Sequence, residues 1–161
     1  MDTMAPTRPA LHRARRISLA AGVAAAAEAR SQVSAAICAW DVPVESPVAV
    51  LLTSELVTNA IRHEAGETVM LAITCAWGQL RIDVYDTSWT APALMDAPAD
   101  AETGRGLMLV ASLATDWGFY RTAAGKAVYF TLAFQSDPDE HNSDPDEHND
   151  SGPQGDRSYV R

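Results

Sequence analysis

Cysteine is scarce in this chain of 161 residues: Cys38 and Cys75 stand far apart, with no CxxC spacing. That excludes a disulfide framework and a multi-thiolate zinc site, and it fits a reducing compartment in which both act as small buried hydrophobes. Long apolar runs are also missing. The Ala-rich stretch near residue 20 is short and contains Glu28 and Arg30, so it cannot span a bilayer. The first residues lack a secretory pattern. These features predict a soluble, cytoplasmic protein with no membrane partner. Positive charge is in deficit too, with 12 Lys and Arg against 21 Asp and Glu, a net of -9. Direct nucleic-acid binding is disfavoured, because phosphates are met by a basic surface. The deficit is uneven. Ser136 to Arg161 holds 8 acids and 2 basic residues, a net of -6, which leaves -3 for the body before it.

What is present is enough apolar content, 47%, for one domain with a real core. Residues 1–13, with Pro6, Pro9 and several arginines, read as a flexible arm. Residues 14–135 form the body. Residues 136–161 read as a disordered acidic tail, because SDPDEHN is repeated back to back at Ser136–Asn142 and Ser143–Asn149. Its His141 and His148 read as solvated rather than metal-binding.

Within the body, Ala14–Ala20 alternates like a strand, and Val23–Trp40 has helical spacing of Val33, Ala36, Ile37 and Trp40. Ser46 before Pro47 is an N-cap signal, which predicts a second helix to about His63. Glu67–Trp77 and Gln79–Asp86 read as a hairpin about Gly78-Gln79, and Thr87–Thr103 as a long loop. A short helix is predicted from Gly104, then a hairpin around Ala124-Gly125. The order is strand, helix, helix, hairpin, loop, helix, hairpin. That predicts an α/β two-layer sandwich: a mixed, mostly antiparallel sheet with about three helices on one face. A Rossmann fold is excluded, since the GRG of Gly104–Gly106 lacks a third glycine and follows no parallel strand.

The second helix is peculiar. Leu52, Leu56, Val57, Ala60 and Ile61 supply an apolar side, yet Glu55, Asn59 and His63 recur every four residues and share one stripe. Two further segments carry chemistry: Asp86 at a strand end in YDTS, and Gly104-x-Gly106 at a helix start. Together they suit a nucleotide. Glycines at a helix start offer backbone N–H groups and a helix dipole to phosphates. An Asn59 amide oxygen suits magnesium, which prefers hard oxygen ligands. A fixed carboxylate such as Asp86 accepts from the adenine amino group and repels a guanine oxygen. Glu55, one turn before Asn59, is placed to orient or deprotonate a nucleophile.

ELVTNAIRH resembles the N box of the ATPase superfamily of gyrase, the ninety-kilodalton heat-shock chaperones, sensor histidine kinases and mismatch-repair ATPases. YDTS resembles its adenine box and GRGLMLV its second glycine box, and the likeness runs from about Arg15 to Phe134. It is closest to the small stand-alone anti-sigma-factor serine/threonine kinases, which have the Bergerat ATP-binding fold. The resemblance implies ATP and Mg2+ as cofactors, with Glu55 as catalytic base and Asn59 as magnesium ligand. Asp86 would be the adenine acid, with Ser88 beside it. Gly104 and Gly106, with the N–H groups of Arg105, Leu107 and Met108, would be the phosphate cradle. His63 would pack or touch phosphate, and Arg105 could reach a phosphate, an acidic partner or solvent. The implied partners are a sigma factor and an anti-sigma-factor antagonist protein, and a homodimer is open. An ATP-binding switch that sequesters its partner with little or no kinase activity is the alternative. A hydrolysing dimeric clamp fits less well. Two departures stand out: Asp86-Thr87-Ser88-Trp89-Thr90 lacks the glycines of the family's Asp-x-Gly-x-Gly, and a threonine usual near the start of the last strand would align near Ala127.

Overall fold

The computed structural model of the chain describes residues 12–63, 66–88 and 102–135. The predicted arm, most of the long loop with Trp89, and the repeat tail lie outside the described residues. Eight elements follow one another: β1 (Arg13–Ala20), α1 (Ala25–Ala39), α2 (Ser46–His63), β2 (Thr68–Ala76), β3 (Gln79–Asp86), α3 (Glu102–Leu113), β4 (Asp116–Arg121) and β5 (Lys126–Ala133). The strands form one sheet in the order β1-β2-β3-β5-β4, and every hydrogen-bonded pair is antiparallel. β5 is inserted between β3 and β4. Those two strands therefore run parallel without touching, and α3 makes the crossover between them. The predicted two-layer sandwich is thus present, and its sheet is antiparallel throughout rather than mixed, because β5 separates the only strands that the α3 crossover sets parallel.

Alternation along the strands sorts the two faces. Leu19, Val69, Leu71, Ile73, Leu80, Ile82, Val84, Val128 and Phe130 are buried on one face. Against them pack Ala29, Val33 and Ala36 of α1, Leu52, Leu56 and Val57 of α2, and Leu107 and Val110 of α3. Fully burying one such large apolar side chain stabilises by about 1.5–3 kcal/mol. α2 lies against both other helices and rests on β2, β3 and β5. The opposite face is polar but paired. Arg81 forks onto Asp83 at 2.9 Å and lies 4.0 Å over the Tyr129 ring, while the Tyr120 hydroxyl reaches Asp83 at 3.1 Å. No described helix is long and apolar enough to cross a membrane.

Several predicted boundaries shift for local reasons. The Glu45 carbonyl accepts from the N–H groups of Val48 and Ala49 at 3.0 and 3.1 Å, so the N-cap of α2 is Glu45, one residue before the predicted Ser46, which becomes the first helical residue. The β2–β3 turn is Trp77-Gly78, with φ of 55° and 70°, one residue earlier than predicted. Both left-handed values match a type I′ hairpin, which follows the twist of its strands. At the end of α1, Asp41 takes φ 51° and donates to the Cys38 carbonyl, while Val42 donates to that of Ile37. This is a Schellman stop with an aspartate where glycine is usual.

The cysteines depart from the buried-hydrophobe expectation. Cys38 is exposed on α1 and Cys75 is half-buried on β2. Burial pushes the Cys75 thiol up, against a smaller opposing pull from Arg13. Because the thiolate is the reactive form, an aromatic disulfide reagent at pH 8 should modify Cys38 about 10-fold or more faster than Cys75. Equal rates on single-cysteine variants would contradict this placement.

Candidate functional site

Topology gathers the predicted residues at one end of the sheet. β3 ends at Asp86 directly opposite Lys126, where β5 begins. β2 starts at that same end, since Met70 pairs with Tyr85, and the short link from His63 to Thr68 brings the last turn of α2 there. α3 runs from the end of β3 towards the start of β4, which pairs at the far end, Asp116 with Thr131. Its N-terminus therefore belongs to the Asp86 end as well.

On α2 the apolar residues Leu52, Leu56 and Ala60 turn inward, and Asn59 goes in with them at 8% exposure. Its Oδ1 is buried and accepts no hydrogen bond. A buried acceptor left without a donor costs about 1–3 kcal/mol, so such a group calls for a missing partner. Glu55, one turn earlier, is half-buried. Its carboxylate lies against the backbone of α3 at Gly106, where a Cβ would stand 2.5 Å from Glu55 Oε2. Glycine at 106 is thus what lets the acid approach the helix. His63 closes α2, and its side chain lies outside the described residues.

α3 begins at Glu102, two residues before the predicted start, so Gly104 and Gly106 stand inside its first turns rather than ahead of it. The free N–H groups of a helix are those of its first turn. Here they belong to residues 102–104, while N–H groups from Arg105 onward fall to carbonyls of the preceding turn. Leu107 is a core residue at 2% exposure and Met108 is exposed. The predicted cradle therefore reduces to the Gly104 N–H and the close approach at Gly106, and the N–H groups of Arg105, Leu107 and Met108 serve the helix.

Asp86 is buried, and its surroundings hold what the sequence reading missed. The N–H of Ser88 donates to Asp86 Oδ1 at 2.9 Å, a local turn that fixes the carboxylate. Lys126 Nζ lies 3.1 Å from both carboxylate oxygens, with side-chain exposures of 3% for the lysine and 2% for the acid. Lys126 shares its face with Val128 and Phe130, whereas Ala127, near which the family's usual threonine would align, points to the other face. A Cβ on Gly125 would overlap the Asp86 carbonyl and the Thr87 backbone, so this glycine lets the β4–β5 turn close over the end of β3. The signal for Lys126 was its parity with buried strand residues, a poor place for an unpaired charge.

The donor set fits a magnesium nucleotide: an orphaned amide oxygen, a carboxylate against the bare backbone of Gly106, and a helix N-terminus at the same end of the sheet. The crystal structure of the RsbU and RsbW domains of Rv1364c from Mycobacterium tuberculosis superposes with a TM-score of 0.55 at 20% identity, over 77% of this chain and 35% of that one. The chain thus spans about a third of that two-domain chain's length, and the likeness is one of fold. No curated protein matches the chain. A family profile described as histidine kinase-like ATPase domain matches residues 11–132, and the chain belongs to that family.

Proposed function

We propose that the chain is an ATP-dependent regulatory kinase of the cytoplasm, with an ATP-binding domain at residues 14–135. It binds magnesium-ATP, holds a sigma factor, and phosphorylates an antagonist protein on serine or threonine. The buried, unpartnered Oδ1 of Asn59 carries this reading. The family supports the nucleotide, and the RsbW domain of the structural neighbour supports the regulatory setting.

Each residue then has a task. Asn59 offers its oxygen to magnesium, which when bound would neutralise charge on the phosphates. Gly104 keeps the first turn of α3 open to them, with the helix dipole favouring negative charge, and Gly106 makes room for Glu55. Asp86, oriented by Ser88, meets the base. Glu55 takes the proton from the partner's hydroxyl as it attacks.

Titration calorimetry with ATP, with and without magnesium, tests the site. Binding that strengthens with magnesium is expected, and an absence of binding in both cases would overturn the proposal. Gly106→Ala tests the base. The new methyl group meets the flexible end of Glu55, so the fold should hold, and replacing a helical glycine should stabilise by about 0.5–1 kcal/mol. Phosphoryl transfer should nevertheless fall by about 10-fold or more as the carboxylate is displaced. A more stable variant with unchanged transfer would remove Glu55 from the chemistry.

One observation favours a second reading, a switch that binds nucleotide and partner with little transfer. The Asp86 carboxylate is already engaged by Lys126, and the segment after it lacks the family's glycines.

A further inference from the structure

Lys126 is the one lysine of the sequence, the other eleven of its twelve basic residues being arginines. It is buried, on the helix-covered face of the sheet, and directly opposite the residue assigned to the nucleobase. A lone carboxylate at that position accepts from an amino group and repels a carbonyl oxygen, which selects adenine. The ammonium alters both terms. It occupies lone pairs on both carboxylate oxygens, one of which also accepts from the Ser88 N–H, so an adenine amino group must compete for a crowded acceptor. It also brings three donors, more than the contacts to Asp86 use, to a place where a base carbonyl would otherwise meet only negative charge. The 6-oxo group of guanine can take an ammonium proton without drawing on Asp86.

We propose that Lys126 sets the base specificity of this site, which takes 6-oxopurine nucleotides at least as well as ATP. The inference rests on the nucleotide reading above and adds the identity of the base. The Asp86–Lys126 pair stays intact beneath a 6-oxopurine, whereas adenine must share or part it. A site that hydrogen-bonds one base edge discriminates strongly against the edge that leaves its groups unpaired.

The test is the ratio of ATP to GTP affinity, measured by calorimetry with magnesium on wild type, Lys126→Thr and Lys126→Met. Wild type should bind GTP as tightly as ATP or more tightly. Inosine triphosphate, which keeps the 6-oxo group and lacks the 2-amino group, should track GTP. Either substitution should swing the ratio towards ATP by about 10-fold or more. The wild-type ratio needs no variant and stands even if both substitutions unfold the protein. A wild type that prefers ATP by about 10-fold or more, or a ratio untouched by the substitutions in folded protein, overturns the role of Lys126 while leaving the nucleotide site in place. Failure of every triphosphate to bind wild type overturns both.

Discussion

Replacing Glu55 with glutamine is expected to lower phosphoryl transfer by about 10²–10⁴-fold while leaving the affinity for magnesium-ATP within about 3-fold of wild type. Glutamine keeps the volume that rests on Gly106, so the α2–α3 contact survives and only the proton acceptor is lost. Single-turnover transfer of the labelled terminal phosphate to an antagonist protein, read beside calorimetry, separates the two quantities. A parallel loss of binding and transfer would mean that Glu55 supports the fold of the site rather than the reaction. Full transfer by the variant would place the base elsewhere. If the variant transfers nothing yet still regulates its partner, the partner-sequestering switch is the function and the chemistry is incidental. Gly106→Ala attacks the same carboxylate from the opposite helix, so the two variants should agree on transfer and differ in stability.

The element order was legible because each element carries its own period. Leu52, Leu56 and Ala60 repeat as a helix that buries one side, and Leu80, Ile82 and Val84 alternate as a strand that buries one face. The Glu55–Asn59 part of the polar stripe was legible for the same reason, since polar residues one turn apart must share a surface. Contacts across elements were not. Nothing local announces that Gly106 must be bare because Glu55 leans on it, for that depends on how α3 crosses α2. The start of α3 was misplaced because glycines read as a turn, although a helix tolerates them at a cost of about 1 kcal/mol each. The cysteines were misplaced because a thiol carries no periodic signal of its own, and Cys38 falls on the outward side of α1. Lys126 was hidden by a one-residue ambiguity. Shifting a strand by one position exchanges its faces, so an alignment near Ala127 put an alanine at the site and the lysine outside it. Register settles the matter, because Asp86 pairs with Lys126 and Tyr85 with Ala127.

Asn59→Leu is the substitution whose stability and function should move in opposite directions. Asn59 is 8% exposed among apolar neighbours, and its Oδ1 has no donor. A leucine of the same branching removes the unsatisfied acceptor and adds apolar contact, so the ligand-free protein should gain about 1–3 kcal/mol. The gain should appear as a higher urea midpoint with an unchanged slope. The same substitution removes the oxygen assigned to magnesium, so the increase in ATP affinity with magnesium should vanish. Saturating nucleotide then reverses the comparison. Wild type gains about 2.7 kcal/mol at a ligand concentration 100-fold above its dissociation constant, and the variant gains far less. The two denaturation midpoints should therefore cross as magnesium-ATP is raised. A variant less stable than wild type without ligand would show that Oδ1 already has a partner in solution, and the oxygen would no longer count as a ligand held in wait. A stabilised variant that still responds fully to magnesium would move the cation to another residue, with Glu55, the carboxylate one turn away on the same stripe, the first to examine.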